Sequence, residues 1–137
     1  MADPKQIEIL SSGADMWNVW REQNPEVVEP DLSQEAPYFG PCESLLVTRR
    51  PQINLMGSTH AGLSGVNLYR AKMRWTAFYY ADFTNATFAG GDLSEATIIE
   101  SNLSQANLNG VNLTNANLQR SKFVSADLSG AICVVAI

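Results

Sequence analysis

Ser101-Asn102-Leu103-Ser104-Gln105-Ala106-Asn107-Leu108-Asn109-Gly110-Val111-Asn112-Leu113-Thr114-Asn115-Ala116-Asn117-Leu118-Gln119-Arg120 states one five-letter phrase four times. The same beat runs outward from there, back to Ala61 and on to Val135. Stepping by five from Leu63 to Cys133 meets only Leu, Met, Phe, Ile and a final Cys. Two places before each stands a small or slim residue, such as Ala71, Ala86, Gly91, Ala106 or Ala126. The place between the two is mostly polar, with Asn or Asp at Asn67, Asp82, Asp92, Asn102, Asn107, Asn112, Asn117 and Asp127.

A period of five matches neither a helix at about 3.6 nor an uninterrupted strand at about 2. Three positions of each unit alternate small-inward, polar-outward, large-inward, as a very short strand would, and the last two must reset the phase. The chain therefore turns a corner in every unit. Closely spaced corners leave little room inside, which accounts for the small residue beside each large one. Asn and Asp suit the outward place because their side chains bond nearby turn backbone. A single unit cannot bury its apolar side alone, so coils must stack into a solenoid.

Units such as Ala106-Asn107-Leu108-Asn109-Gly110 and Ala126-Asp127-Leu128-Ser129-Gly130 resemble the A-(D/N)-L-x-x signature of the pentapeptide repeat family. That resemblance implies an all-β solenoid, a right-handed quadrilateral β-helix with four pentapeptides to a coil. Ala61 to Val135 would then make about four coils, a rod roughly 19 Å long at about 4.8 Å per rung. The resemblance fixes a fold and leaves activity open, because one fold carries many roles.

The expected organisation has three parts: a capping helix over 1–24, an irregular loop or imperfect first coil over 25–60, and the β-helix over 61–137. Asp3-Pro4 is a helix start and Asn24-Pro25 a stop, with Ile7, Leu10, Ala14 and Trp17 at helical spacing between them. Met16-Trp17-Asn18-Val19-Trp20-Arg21 resembles the W-N-x-W-R leader found ahead of the repeats in many cyanobacterial pentapeptide proteins. An open solenoid end exposes core and strand edge and needs a lid, so Trp17 and Trp20 read as lid packing. Pro30-Asp31-Leu32 would lead straight into repeats in the familiar arrangement. Here Leu32 lies out of phase with Leu63, and residues 33–60 wander through Pro37, Gly40, Pro41, Pro51 and Gly57. A short strand around Leu45–Thr48 and an imperfect coil from Ile53 are expected in that stretch.

No basic segment followed by an apolar run opens the chain, and no stretch approaches the length of a membrane span, so a soluble cytoplasmic protein is expected. Cys42 and Cys133 make no disulfide framework, and Cys133, in the inward column, reads as a small buried hydrophobe. The formal charge of −5 is uneven: residues 1–60 hold four Lys and Arg against nine Asp and Glu, residues 61–137 five against five.

Catalysis finds little to work with. One histidine, His60, has no Cys or second His beside it, and there is no carboxylate pair, nucleophile triad or glycine-rich phosphate loop. No enzyme activity, cofactor or metal is expected. Arg49-Arg50 reads as a solvated or ion-paired surface. The first coil is distinctive: Tyr69, Arg70, Lys72, Arg74, Trp75, Tyr79 and Tyr80 are outward, where one coil on stand Ala89, Gly90, Asp92, Ser94, Glu95, Ile99 and Glu100. These seven either receive the acidic leader or form a recognition patch for a protein partner, for which Tyr, Trp and Arg are the usual anchors. At the other end Ile132, Val134, Val135 and Ile137 replace polar residues and suggest a homodimer edge or a docking rim. Glu100 and Arg120, 20 apart, should pair across coils.

The function expected is therefore a non-catalytic protein–protein interaction module or accessory subunit docked on a larger complex. The alternative is a DNA mimic that binds a topoisomerase, a role known in the family. Duplex DNA presents a charge per about 1.7 Å of axis, and a neutral solenoid imitates that poorly. No nucleic acid and no membrane insertion are expected.

Overall fold

Every fifth residue from 65 to 135 has a positive φ, between 53° and 69°, and these are the corners. The computed structural model describes residues 3–33 and 62–137. Within most repeats the small residue's N–H bonds back to the carbonyl of the large residue three before it, as Val66 does to Leu63 at 3.1 Å and Ala116 to Leu113 at 3.0 Å. A four-residue turn with positive φ at its third place alone is type II. Gly65, Gly90, Gly110 and Gly130 take that conformation freely, but Trp75, Glu95 and Val135 hold it too. Each such L-residue costs about 1–2 kcal/mol, which the stacked coils must offset.

Pairing is parallel and advances by 20 residues. Asn67, Thr87, Asn107 and Asp127 form one ladder, Lys72, Asp92, Asn112 and Ile132 a second, and Asp82, Asn102 and Lys122 another. The remaining face holds two short strands, β1 (Ala77–Tyr79) and β2 (Thr97–Ile99), paired in parallel, with Asn117 against Thr97. Four faces per coil leave room for only a few extended residues on each, so regular strand is sparse. Outward Asn and Asp do what the sequence suggested: each accepts the N–H two residues on, as in Asp82 to Thr84, Asn107 to Asn109 and Asp127 to Ser129. One corner differs. There the Ala81 N–H goes to the Ser101 hydroxyl and the Ser101 N–H to the Ser121 hydroxyl, each at 3.1 Å across coils.

Inward columns fill the rod. Leu68, Phe78, Phe83, Phe88, Ile98 and Leu108 are buried, and Phe83 meets Phe78 and Phe88 edge-on at 5.1 and 5.0 Å. Gly91 shows why the companion column is small: a Cβ there would lie 2.9 Å from the Phe88 carbonyl and 3.0 Å from that of Ala71. The column loses cover near the end of the chain. Leu118 and Phe123 are partly buried, Leu128 is 39% exposed, and Cys133 is exposed. The expectation that Cys133 is buried is thus corrected: its repeat position points inward, but no described residue stacks beyond it.

The leader is two helices, where one continuous helix was expected. α1 (Pro4–Ser11) begins at Asp3, whose carboxylate accepts the Lys5 N–H at 2.9 Å, and α2 (Ala14–Gln23) ends at Asn24. Gly13, at φ +107°, separates them, and the Ala14 N–H bonds the Gly62 carbonyl at 2.9 Å. Leu10, Ala14 and Trp17 join the solenoid's buried cluster. Expectations for Cys42, Leu45–Thr48, Arg49-Arg50, Ile53 and His60 fall outside the described residues.

Candidate interaction surface

The N-terminal edge of the first coil is occupied by side chains of α2. On later coils the carbonyl of each outward middle residue accepts a backbone N–H from the coil before, as Thr87 does from Leu68 at 2.7 Å. For Asn67 the donor is the Trp17 indole at 2.6 Å. The Asn18 carboxamide accepts the Asn67 N–H at 2.8 Å and donates to the Gly65 carbonyl at 3.0 Å, replacing a peptide unit. Arg21 donates to the Tyr69 carbonyl at 3.2 Å and to that of Val27 at 2.6 Å. Positions 17, 18 and 21 share one side of a helix, which is why one rigid element can serve a whole rung. Burial lowers the Arg21 pKa. The Trp17 and Trp20 ring centroids lie 5.0 Å apart, with the rings tilted by 36°.

The next face is covered by backbone. Lys72 donates its N–H to the Pro30 carbonyl at 2.8 Å and accepts that of Leu32 at 2.7 Å, the pattern Asp92 makes with Ala71 and Met73. Pro30-Asp31-Leu32-Ser33 is therefore a working rung, with Pro30 and Leu32 buried and Asp31 accepting the Ser33 N–H and hydroxyl. Burial would raise the Asp31 carboxyl, but hydrogen bonds led by the Ser33 hydroxyl outweigh it and hold it low. The sequence signal was present, since Pro30-Asp31-Leu32-Ser33 has the form of Ala126-Asp127-Leu128-Ser129; numerical phase argued against it.

The seven outward residues of the first coil divide. Arg70, Lys72, Arg74 and Trp75 come together, lining a concavity of about 350 Å³ with Glu29, Ser33, Gly90 and Asp92. Tyr69, Tyr79 and Tyr80 stand outside that lining; Tyr69 and Tyr80 are 46% and 54% exposed, and Tyr79 is partly buried in β1. Glu29, one of the acidic residues of 1–60 that the first-coil cations were expected to pair with, bonds Arg70 with one carboxylate oxygen at 2.6 Å and Lys72 with the other at 3.2 Å. The Lys72 hydrogen bond, aided by the charges of Arg70 and Lys72, holds the Glu29 pKa below its usual range. Arg74 lies 5.4 Å from the Trp75 ring centroid and pairs with Glu95 of the next coil at 2.8 Å. Gly90 leaves room for Arg70, whose Cγ would lie 3.4 Å from a Cβ there.

The far end exposes Ile132, Val134, Val135 and Ile137, and Val124 is exposed as well. Between the two ends Glu100 and Arg120 pair at 3.1 Å as their spacing required.

The description "Pentapeptide repeats (8 copies)" matches residues 67–105, 77–115 and 98–132. Residues 67–132 belong to the pentapeptide repeat family. Pentapeptide repeats imply a right-handed quadrilateral β-helix, and their proteins are generally non-enzymatic structural or interaction modules. No curated protein matches the chain. Among solved structures, pentapeptide repeat protein HetL of the cyanobacterium Nostoc sp. PCC 7120, involved in heterocyst differentiation regulation, is 29% identical over 50% of this chain and 35% of its own, at TM-score 0.36. A pentapeptide repeat protein of the Arabidopsis thaliana thylakoid lumen is 32% identical over 50% of this chain and 58% of its own, at TM-score 0.37. Pentapeptide repeat protein Rfr23 of the cyanobacterium Cyanothece 51142 is 19% identical over 87% and 91%, at TM-score 0.44. This chain thus matches about a third of the first structure's length and well under two thirds of the second's. Among the described residues, no helix is long and apolar enough to cross a membrane, and no group of His, Cys, Asp or Glu could hold a metal ion.

Proposed function

We propose that this chain is a rod of about four coils, lidded at its N-terminal end by the W-N-x-W-R leader, and that it works as an accessory or assembly subunit docking on a larger complex. A cytoplasmic location goes with that reading. The observation that carries it is the convergence of Arg70, Lys72, Arg74 and Trp75 on one concavity of a scaffold whose other described faces carry Asn, Ser and Thr ladders. Arginine and tryptophan are the residues that anchor protein interfaces, and a rigid solenoid presents them at little entropic cost. Tyr69, Tyr79 and Tyr80 would flank that contact. The rim of Ile132, Val134, Val135 and Ile137 is a second surface, proposed as a homodimer edge.

Affinity recovery of the chain from its native cell, with Trp75→Ala and Tyr79→Ala as controls, tests the first surface. A partner lost in Trp75→Ala with the melting temperature unchanged supports it; undiminished recovery in both variants rejects it. For the rim, light scattering after size exclusion should give a dimer that Val134→Asp converts to a monomer. A monomer in both cases rejects the homodimer.

A further inference from the structure

We infer that the first-coil concavity takes an acidic segment of a partner protein, and that Glu29 is the internal competitor such a segment displaces. The inference rests on the reading of that face as the working surface and names the chemistry it recognises.

The grip on Glu29 is that of a carboxylate receptor. Arg70 takes one oxygen and Lys72 the other, so the carboxylate is held from both sides by cations of a single face. Arg74, two residues further along, carries a second carboxylate, that of Glu95, and lies over the Trp75 ring. Three of the five cations in residues 61–137 are therefore gathered within five positions, each answered by an acid brought from elsewhere: Glu29 from the link after α2, Glu95 from the next coil.

These internal pairs are displaceable. The Arg70, Lys72 and Arg74 side chains are 45%, 53% and 52% exposed, and Glu29 is 40% exposed. Exposed ion pairs are weak and screened by salt. A segment bearing several carboxylates, with an apolar group to cover Trp75, offers the cations equivalent partners and adds buried area that Glu29 does not supply. Nucleic acid fits less well, because Trp75 is the one aromatic residue in that lining among the described residues, and single strands stack successive bases on several such rings.

The test uses the full chain and a labelled oligoglutamate peptide, with binding read by fluorescence anisotropy at low ionic strength and oligothymidylate as comparator. Glu29→Gln should bind the peptide about fivefold more tightly, since the competitor loses its charge. Arg70→Gln combined with Lys72→Gln should weaken it by at least about tenfold, with melting temperature confirming the fold. Unchanged or weaker binding in Glu29→Gln overturns the proposal, as does undiminished binding in the double variant or tighter binding of oligothymidylate than of peptide. The native-cell recovery separates this from the broader reading. A partner lost in Trp75→Ala but kept in the Arg70/Lys72 double variant overturns the acidic segment and leaves the surface standing; a partner kept in both overturns the surface itself.

Discussion

The two ends of this solenoid are built from the same repeat and finished in opposite ways. At the N-terminal end, the outer edge of the coil at Asn67 is bonded by Trp17 and Asn18, with Arg21 on the adjoining Tyr69 carbonyl, and the edge at Lys72 by Pro30–Leu32. At the other end Leu128 and Cys133, in the column that buries Leu68 and Leu108, are exposed. Position in the repeat decides which way a side chain points. Whether it is dry depends on a neighbour one coil away, and α2 is such a neighbour, made of side chains in place of strand.

Removing the centre of the α2 contact should have the largest effect. Trp17→Ala takes away a fully buried ring and the donor to Asn67, and we expect a loss of about 3–5 kcal/mol in chemical denaturation. Asn18→Ala, which leaves the Asn67 N–H and Gly65 carbonyl without their partner, should cost about 1–2 kcal/mol. If Asn18→Ala is neutral, water replaces it and the ends are less different than the hydrogen bonds suggest.

A matched pair of truncations measures the contrast directly. In the Val134→Asp monomer, Leu108→Ala, at a completely buried site, should cost about 2–5 kcal/mol, while Leu128→Ala, 20 residues on in the same stack, should cost about 1 kcal/mol. Equal losses there would mean that the two ends of a single chain are covered alike.

Val135 gives a smaller effect of opposite sign. It is β-branched, stands at φ +58° and is 72% exposed, so its strain has no packing to balance it. In the Val134→Asp monomer, Val135→Gly should stabilise the terminal coil by about 1 kcal/mol, read as slower exchange of the Asn115 amide, which bonds the carbonyl of residue 134 at 2.8 Å. Faster exchange there would show that Val135 is held by contacts within its own chain.

The smallest expected effect is electrostatic. Glu29, Asp31 and Asp127 have pKa values below those of free carboxylates, so their contributions are complete above about pH 4.3 and fade as pH falls through the folded values. Asp127 owes its shift to the Ser129 hydroxyl and N–H, at the open end. A melting profile from pH 7 to pH 3 should decline only in the acid range. Glu29→Gln should flatten it slightly, and a profile unaltered in that variant would show that the Glu29 pairs add nothing to stability.

What the amino-acid order determined is everything that repeats. The fivefold beat specified the corners, the inward columns and the Asn and Asp turn bonds. The 20-residue coil, implied by the family resemblance, set the Glu100–Arg120 pair, because each depends on residues a fixed number of steps apart. Tertiary structure decided what does not repeat. Pro30–Leu32 enters as a rung despite its phase because backbone pairing requires a free edge and an extended strand, whatever the count of residues between them. Trp17, Asn18 and Arg21 could be read as a lid, but their individual partners follow from how α2 is seated. Glu29 claims Arg70 and Lys72 because Pro30 anchors the chain beside them, and Cys133 is exposed because burial belongs to the stack and not to the letter.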